Sequence, residues 1–225
     1  MSERPVFEPN LEGEAFVRIH DVEFKWYPGF SIEQKRRSIL SLHEEAMGSH
    51  RFASILEIST KSQSDLGVRA SAFNLGMSVK NSPVGSVESF YQGSKVFELG
   101  GPFTDIYFKP AKEAKRDIRL ANSGALVGFQ FFGHEWGLRD LFYDWLYLNA
   151  LLQNQDIASR LLAYDAYTDI EFNPKKSYNC QAHSAALYKS AKLREIDVSV
   201  VRSPSAFKRL FNLRKQDPSQ IKLDL

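Results

Sequence analysis

Glu88, Tyr91, Gln92 and Lys95 recur at i, i+3, i+4 and i+7, the spacing that projects side chains from one side of a helix. An acid, a phenol, an amide and an amine on one face are groups that can transfer protons or, as a free amine, act as a nucleophile. The same four residues also make an ordinary solvated helix face, since charged side chains are mostly exposed. Ser86 stands where a side-chain oxygen caps a first turn, and Glu88 then suits the positive end of the helix dipole. The spacing predicts a helix whose opening two turns are 86–95 and which Gly100-Gly101-Pro102 ends, with Glu88 and Lys95 about 10 Å apart along its axis.

The elements around this stretch are read from periodicity and turn residues. Upstream, 67–76 is a loop of small residues around Phe73, a composition that lets backbone approach a ligand. Arg69 in it reads either as a surface charge or as an anion clamp. Downstream, Pro110 opens a helix over 111–119 with little apolar face, which puts Lys115 and Arg119 four residues apart. An aromatic segment bounded by Gly124 and Gly133 precedes a core helix carrying Leu141, Phe142, Trp145 and Leu148, where Trp145 reads as packing. A helix near 157–164, an extended segment over 167–174 that brings Glu171 to a pocket edge, a helix over 182–193 and a last strand over 198–201 complete the C-terminal part.

Toward the N-terminus, residues 1–13 read as polar and loosely held, followed by strands over 15–20 and 22–26. Ser31 begins a capping box, with Ile32, Ile39, Leu40, His43 and Met47 as the buried stripe behind it and His43 as a core histidine. A strand follows over 52–60 and a polar loop over 61–66. The expected fold class is α+β, helix-dominated with small β elements. No internal repeat, low-complexity segment or clear linker divides the sequence.

Composition excludes several classes. Hydrophobic residues at 43% and charged residues at 25% carry no signature of disorder. No run approaches the apolar length of a membrane span, and no apolar segment follows the acidic N-terminus as in a signal peptide. The lone Cys180 forms no internal disulfide, which fits a reducing, cytoplasmic setting. Residues 186–225 hold nine Lys or Arg against four acids, a basic end able to meet phosphates or simply solvated. Phosphate-binding glycine loops, dinucleotide fingerprints, nucleophile elbows and zinc spacings are all missing from the sequence, so neither a metal nor a cofactor is expected.

Taken in order, the pieces carry more than any one of them. The loop with Phe73, Ser-Val-Glu-Ser-Phe-Tyr-Gln-Gly-Ser-Lys over 86–95, Ala-Lys-Glu-Ala-Lys-Arg-Asp-Ile-Arg over 111–119, Trp136, Leu161-Leu162 and Glu171 together resemble the NADAR (YbiA-like) family. The likeness covers roughly 67–192, and with the long N-terminal region and the Ala-Ser-Ala-Phe-Asn-Leu loop it is most like the subgroup that accompanies DarT-class DNA ADP-ribosyltransferase toxins. The resemblance sets residues 1–66 apart as an N-terminal extension packed on a domain over 67–225, and it implies an antitoxin that hydrolyses the N-glycosidic bond between ADP-ribose and guanosine in DNA, releasing ADP-ribose. It makes Glu88 and Lys95 the catalytic candidates, with Lys95 the nucleophile, or a phosphate contact if Lys115 attacks instead. Lys115 and Arg119 fall on the family's basic helix positions, where four-residue spacing lets them hold a pyrophosphate, and Trp136, Phe129 or Tyr91 would stack on adenine or on the target base. Arg69, Phe73, Glu171 and Asn179 complete the expected binding set. Where many members have Asp-x-x-Trp-Gly, this chain has Lys176-Ser177-Tyr178-Asn179-Cys180, and what replaces that aspartate is open. Two other functions fit the same residues: an N-glycosidase acting on a small phosphoribosyl metabolite such as a riboflavin intermediate, and a non-catalytic module that binds ADP-ribose or the toxin.

Overall fold

The computed structural model describes residues 1–174, 177 and 179–212. Part of the basic end, with Arg214, Lys215 and Lys222, lies outside them, as do Lys176 and Tyr178. The described chain is mixed α+β. It divides into two units, one drawn from Met1–Ser71 and Gln155–Asp197, the other from Ala72–Asn154 and the segment that begins at Val198. In chain order the first unit contributes β1 (Ser2–Pro9), β2 (Val17–Phe24), α1 (Ile32–His50), β3 (Ile55–Glu57) and α2 (Asp65–Arg69). The second follows with β4 (Gly76–Met77), β5 (Gly85–Ser86), α3 (Val87–Gly93), β6 (Lys95–Phe97), a 3-10 turn at Thr104–Ile106, α4 (Ala111–Ala114), α5 (Arg119–Asn122), β7 (Leu126–Phe131), β8 (His134–Trp136) and α6 (Phe142–Gln153). The chain returns to the first unit for α7 (Gln155–Leu161), β9 (Ala166–Thr168) and α8 (Gln181–Leu193), then to the second for α9 (Val198–Arg202) and α10 (Pro204–Asn212). Among the described residues no helix is long and apolar enough to cross a membrane.

The first unit is a four-stranded sheet, β2-β1-β9-β3, with α1 and α8 packed against it. Its N-terminal strand corrects the expectation of a loose segment over 1–13. Val6 and Phe7 are buried, and β1 pairs antiparallel with β2 from Ser2 opposite Phe24 to Pro9 opposite Val17. Ser31 caps α1 by accepting from the Gln34 amide at 3.2 Å. Of the expected stripe α1 buries Ile39, together with Ser38, Leu42 and Ala46, and leaves Ile32, Leu40 and Met47 exposed.

Beneath this sheet lies a buried polar cluster. The Thr168 hydroxyl donates to Glu57 Oε2 at 2.7 Å, and the Ile170 amide donates to Glu57 Oε1 at 3.0 Å. Asp169 accepts from the Glu171 amide and from Gln181 Nε2, each at 3.0 Å. His43 Nε2 lies 2.7 Å from Thr168 Oγ1 as the expected core histidine, and burial pushes it down to about 4. Burial, reinforced by the neighbouring Glu57 carboxyl, pushes Asp169 up to about 8. Between about pH 4 and that value, rising pH takes the proton from Asp169 in the unfolded chain while the folded chain keeps it. Stability contributed by the protonated carboxyl is therefore full at low pH and is lost as pH rises through the folded value. Asp169→Asn, which keeps an acceptor for the Glu171 amide, is expected to gain thermal stability relative to wild type at pH 8 and to gain less at pH 5. A melting-temperature difference between variant and parent that stays constant across that range would count against the protonated pair.

In the second unit β6, β7 and β8 form an antiparallel sheet, and α3 packs on α4, α6 and the 3-10 turn. Lys95 faces Phe129 across β6 and β7, and Phe129 faces Trp136 across β7 and β8. Phe131, Trp136, Phe142 and Trp145 interlock behind the sheet, with ring centroids 5.3 Å apart for Trp136–Phe142 and 5.1 Å for Trp136–Trp145. Val198–Arg202 is a helix rather than the expected strand: Val201 is buried, and its carbonyl accepts from Asn149 Nδ2 of α6 at 3.2 Å. Tertiary packing here outweighs the β preference of a valine-rich segment.

Candidate active site

Helix α3 begins as expected. Ser86 Oγ accepts from the Ser89 amide at 3.0 Å, and Ser89 Oγ in turn donates to the Lys109 carbonyl at 2.8 Å. The amide of Glu88 donates to the Ala72 carbonyl at 2.9 Å, which draws the Phe73 loop against the start of the helix. The helix then ends at Gly93, two residues before Lys95, which corrects the expectation of a helix continuing through Lys95 toward Gly100. A Cβ at Gly93 would sit 2.5 Å from Tyr107 Cδ1, so only a glycine lets the backbone pass the ring there. Ser94 Oγ donates back to the Phe90 carbonyl at 2.7 Å, and the chain leaves the helix as strand β6. The turn at Ser94 folds Lys95 back over α3, where its Nζ lies 5.0 Å from the centre of the Tyr91 ring.

The polar face is not solvated. Glu88 and Gln92 are each 6% exposed, and Gln92 Nε2 donates to Glu88 Oε1 at 2.9 Å. Lys115 Nζ stands 3.7 Å from the same carboxylate oxygen and 5.2 Å over the Phe73 ring. Burial holds the Lys95 ammonium below the ordinary lysine range; the Glu88 charge opposes that shift and the Lys115 charge adds to it. Glu88, Lys95, Lys115, Phe73 and Tyr91 thus come together in the second unit, with the Lys95 ammonium held below its ordinary proton affinity by burial and feeling the charges of both Glu88 and Lys115. Tyr91 is itself walled in by Phe129, with centroids 5.3 Å apart, and by the edge of Tyr143 at 5.1 Å. Tyr143 was not singled out in the sequence, where it reads only as part of the apolar helix; its spacing from Trp136 gives no sign that it meets Tyr91.

The remaining expected residues stand elsewhere. Trp136 is 2% exposed inside the aromatic stack, with Lys208 Nζ 4.5 Å over its ring, so its place is in the core rather than against a base. Lys115 and Arg119 do not share a helix, because α4 stops at Ala114 and the Asp117 carboxylate accepts from the Arg119 amide at 3.1 Å, ending one turn and opening the next. Arg119 is a doubly paired cation. Its Nη2 lies 2.8 Å from both Asp105 Oδ2 and Asp117 Oδ2, and these bonds raise its already high proton affinity. In the first unit, Arg69 pairs with Asp156 and, at 3.9 Å, with Asp65. Glu171 pairs with Lys35 at 3.1 Å, and the Asn179 carbonyl accepts from Ser177 Oγ at 3.3 Å.

A family model described as the DarT1-associated NADAR antitoxin matches residues 2–221, so the N-terminal strands and α1 fall within the match together with the α3 site. No curated protein matches the chain.

Proposed function

The chain belongs to the DarT1-associated NADAR antitoxin family, and from that premise we propose that it is a hydrolase that removes ADP-ribose from guanosine in DNA, reversing the modification made by a DarT-class ADP-ribosyltransferase. The observation that supports this reading is the buried Glu88, held by Gln92, together with a buried lysine, Lys95, that feels the Glu88 charge and is held below its ordinary proton affinity.

In the proposed reaction Glu88 takes a proton from the Lys95 ammonium, and the freed amine attacks the anomeric carbon of the ribose. The bond from that carbon to the guanine nitrogen breaks, and the departing base takes the proton from Glu88. Opening of the sugar ring turns the new C–N bond into an imine, with the ring oxygen leaving as a hydroxyl. Water adds to the imine with Glu88 as base, and collapse of the adduct releases ADP-ribose and restores the lysine. Lys115 neutralises the carboxylate between proton transfers, and Tyr91 and Phe73 offer rings against which the sugar and base pack.

A single-stranded oligonucleotide carrying one ADP-ribosyl guanosine tests the assignment. Incubation with the protein is expected to yield free ADP-ribose and an unmodified oligonucleotide, at a rate well above cleavage of a phosphoribosyl metabolite assayed beside it. Faster cleavage of the metabolite would contradict the DNA substrate, and tight binding of the oligonucleotide with no release would contradict an enzyme.

A further inference from the structure

A second feature of the same unit is not used by this chemistry. A cleft of about 510 Å³ is lined by Thr104, Tyr107, Phe108, Gln130 and Phe132 among others. Its size falls in the range of small-ligand pockets. Two of its rings are open to solvent, Phe108 at 45% and Phe132 at 37% exposure.

Phe132 stands where a phenylalanine is disfavoured. With Gly133 it makes the two-residue turn between β7 and β8, and both have positive φ, 44° and 86°. Turns of that kind favour Asn or Asp at the first position, and a bulky side chain there costs backbone strain. The ring so placed lies nearly parallel to Tyr107, with centroids 5.7 Å apart and planes 19° apart. Tyr107 is fixed in turn: its hydroxyl donates to the Gln130 carbonyl at 3.2 Å and lies 3.2 Å from Ser94 Oγ, one residue before Lys95. Strain spent on an exposed ring is characteristic of a binding site. The charge of the unit points to the ligand, because the sequence of Ala72–Asn154 with 198–212 carries eleven Lys or Arg against eight acids, whereas that of Met1–Ser71 with Gln155–Asp197 carries fifteen against seventeen. Flat aromatic faces in a cationic unit are the means by which proteins hold single-stranded nucleic acid.

We infer that this cleft is a base-stacking subsite for a nucleotide of the DNA strand that flanks the modified guanosine. The assignment rests on the DNA reading of the α3 site and adds to it a contact with unmodified sequence. Phe108 and Phe132 receive the flanking base, while Thr104 and Gln130 bring polar groups to the lining.

The test is the affinity of the full chain for an unmodified single-stranded oligonucleotide, measured by fluorescence anisotropy, so that it does not depend on turnover. Phe132→Asn, which suits the turn better than the native residue, and Phe108→Ser are each expected to weaken binding about 5- to 100-fold, the scale of losing one stacked base. The melting temperature of Phe132→Asn is expected to equal or exceed that of the parent, which separates loss of stacking from loss of fold. No measurable binding by the wild-type chain, or unchanged affinity in both variants, overturns the subsite. An equal loss of affinity for free ADP-ribose overturns it too, by assigning the rings to adenine. Failure of the α3 reading shows instead as absence of ADP-ribose release by the wild-type chain.

Discussion

Lys95→Ala is expected to lower kcat/KM for ADP-ribose release by about 10³-fold or more while the melting temperature stays near that of the parent. The magnitude is that of removing a covalent nucleophile from a site whose remaining groups still bind and polarise the substrate. The fold tolerates the change because Lys95 contributes to β6 through its backbone, opposite Phe129, and its side chain meets the Tyr91 ring through the ammonium nitrogen 5.0 Å from the ring centre. The same account predicts a pH profile. Activity rises with pH as the ammonium loses its proton, and burial places the midpoint of that limb below the ordinary lysine value of 10.5. Lys115→Ala supplies the comparison. If Lys115 were the nucleophile, its removal would cost as much as removal of Lys95; as a partner of Glu88 on a half-exposed side chain it is expected to cost far less.

The second large effect belongs to Glu88. Glu88→Gln keeps the shape of the side chain and an oxygen able to accept from Gln92 Nε2, so the hydrogen bond at 2.9 Å has a successor and the helix keeps its packing. What the amide cannot do is carry a proton from lysine to the leaving base. The expected loss is about 10²- to 10⁴-fold in kcat, with little change in KM. A fall in affinity at unchanged kcat would instead make Glu88 a binding residue. Stability is expected to change little, since the carboxylate's ionic partner Lys115 is half exposed and such pairs contribute modestly.

The parts of the site that were legible in the sequence are the local ones. Ser86 and Ser31 cap their helices as their positions require, because a cap is decided within four residues. The carboxylate, amide and phenol of α3 share a face for the same reason. The position of Lys95 was not legible, because the helix is stopped by contact of Gly93 with Tyr107, fourteen residues downstream, and a helical spacing continued through that point gives the wrong geometry for the right residue. Burial of the polar face was hidden too: it depends on Phe73, Lys115 and Phe129, which meet α3 through three separate elements. Arg119 read as a pyrophosphate contact, and its pairing with Asp105 was hidden because that residue belongs to a turn that leaves no periodic trace.

At the level of the fold, β1 escaped notice because Pro5, Pro9 and three charged residues interrupt its pattern, and its second neighbour, Tyr167 of β9, lies some 160 residues away. Val198–Arg202 misled in the opposite direction, its valines suggesting a strand where Asn149 and the core of the second unit hold a helix. The mixed α+β class survives these errors, since it depends on the number and kind of strong elements rather than on their ends.

The central claim, that the amine of Lys95 forms a covalent bond to the ribose, is tested by adding sodium borohydride during turnover of an ADP-ribosylated guanosine oligonucleotide and locating the adduct by peptide mass spectrometry. The account predicts a reduced ADP-ribosyl adduct on Lys95 that is missing in Lys95→Ala and does not form with unmodified DNA. A trapped adduct on Lys115, or full turnover with no trapped adduct on any lysine, would contradict it.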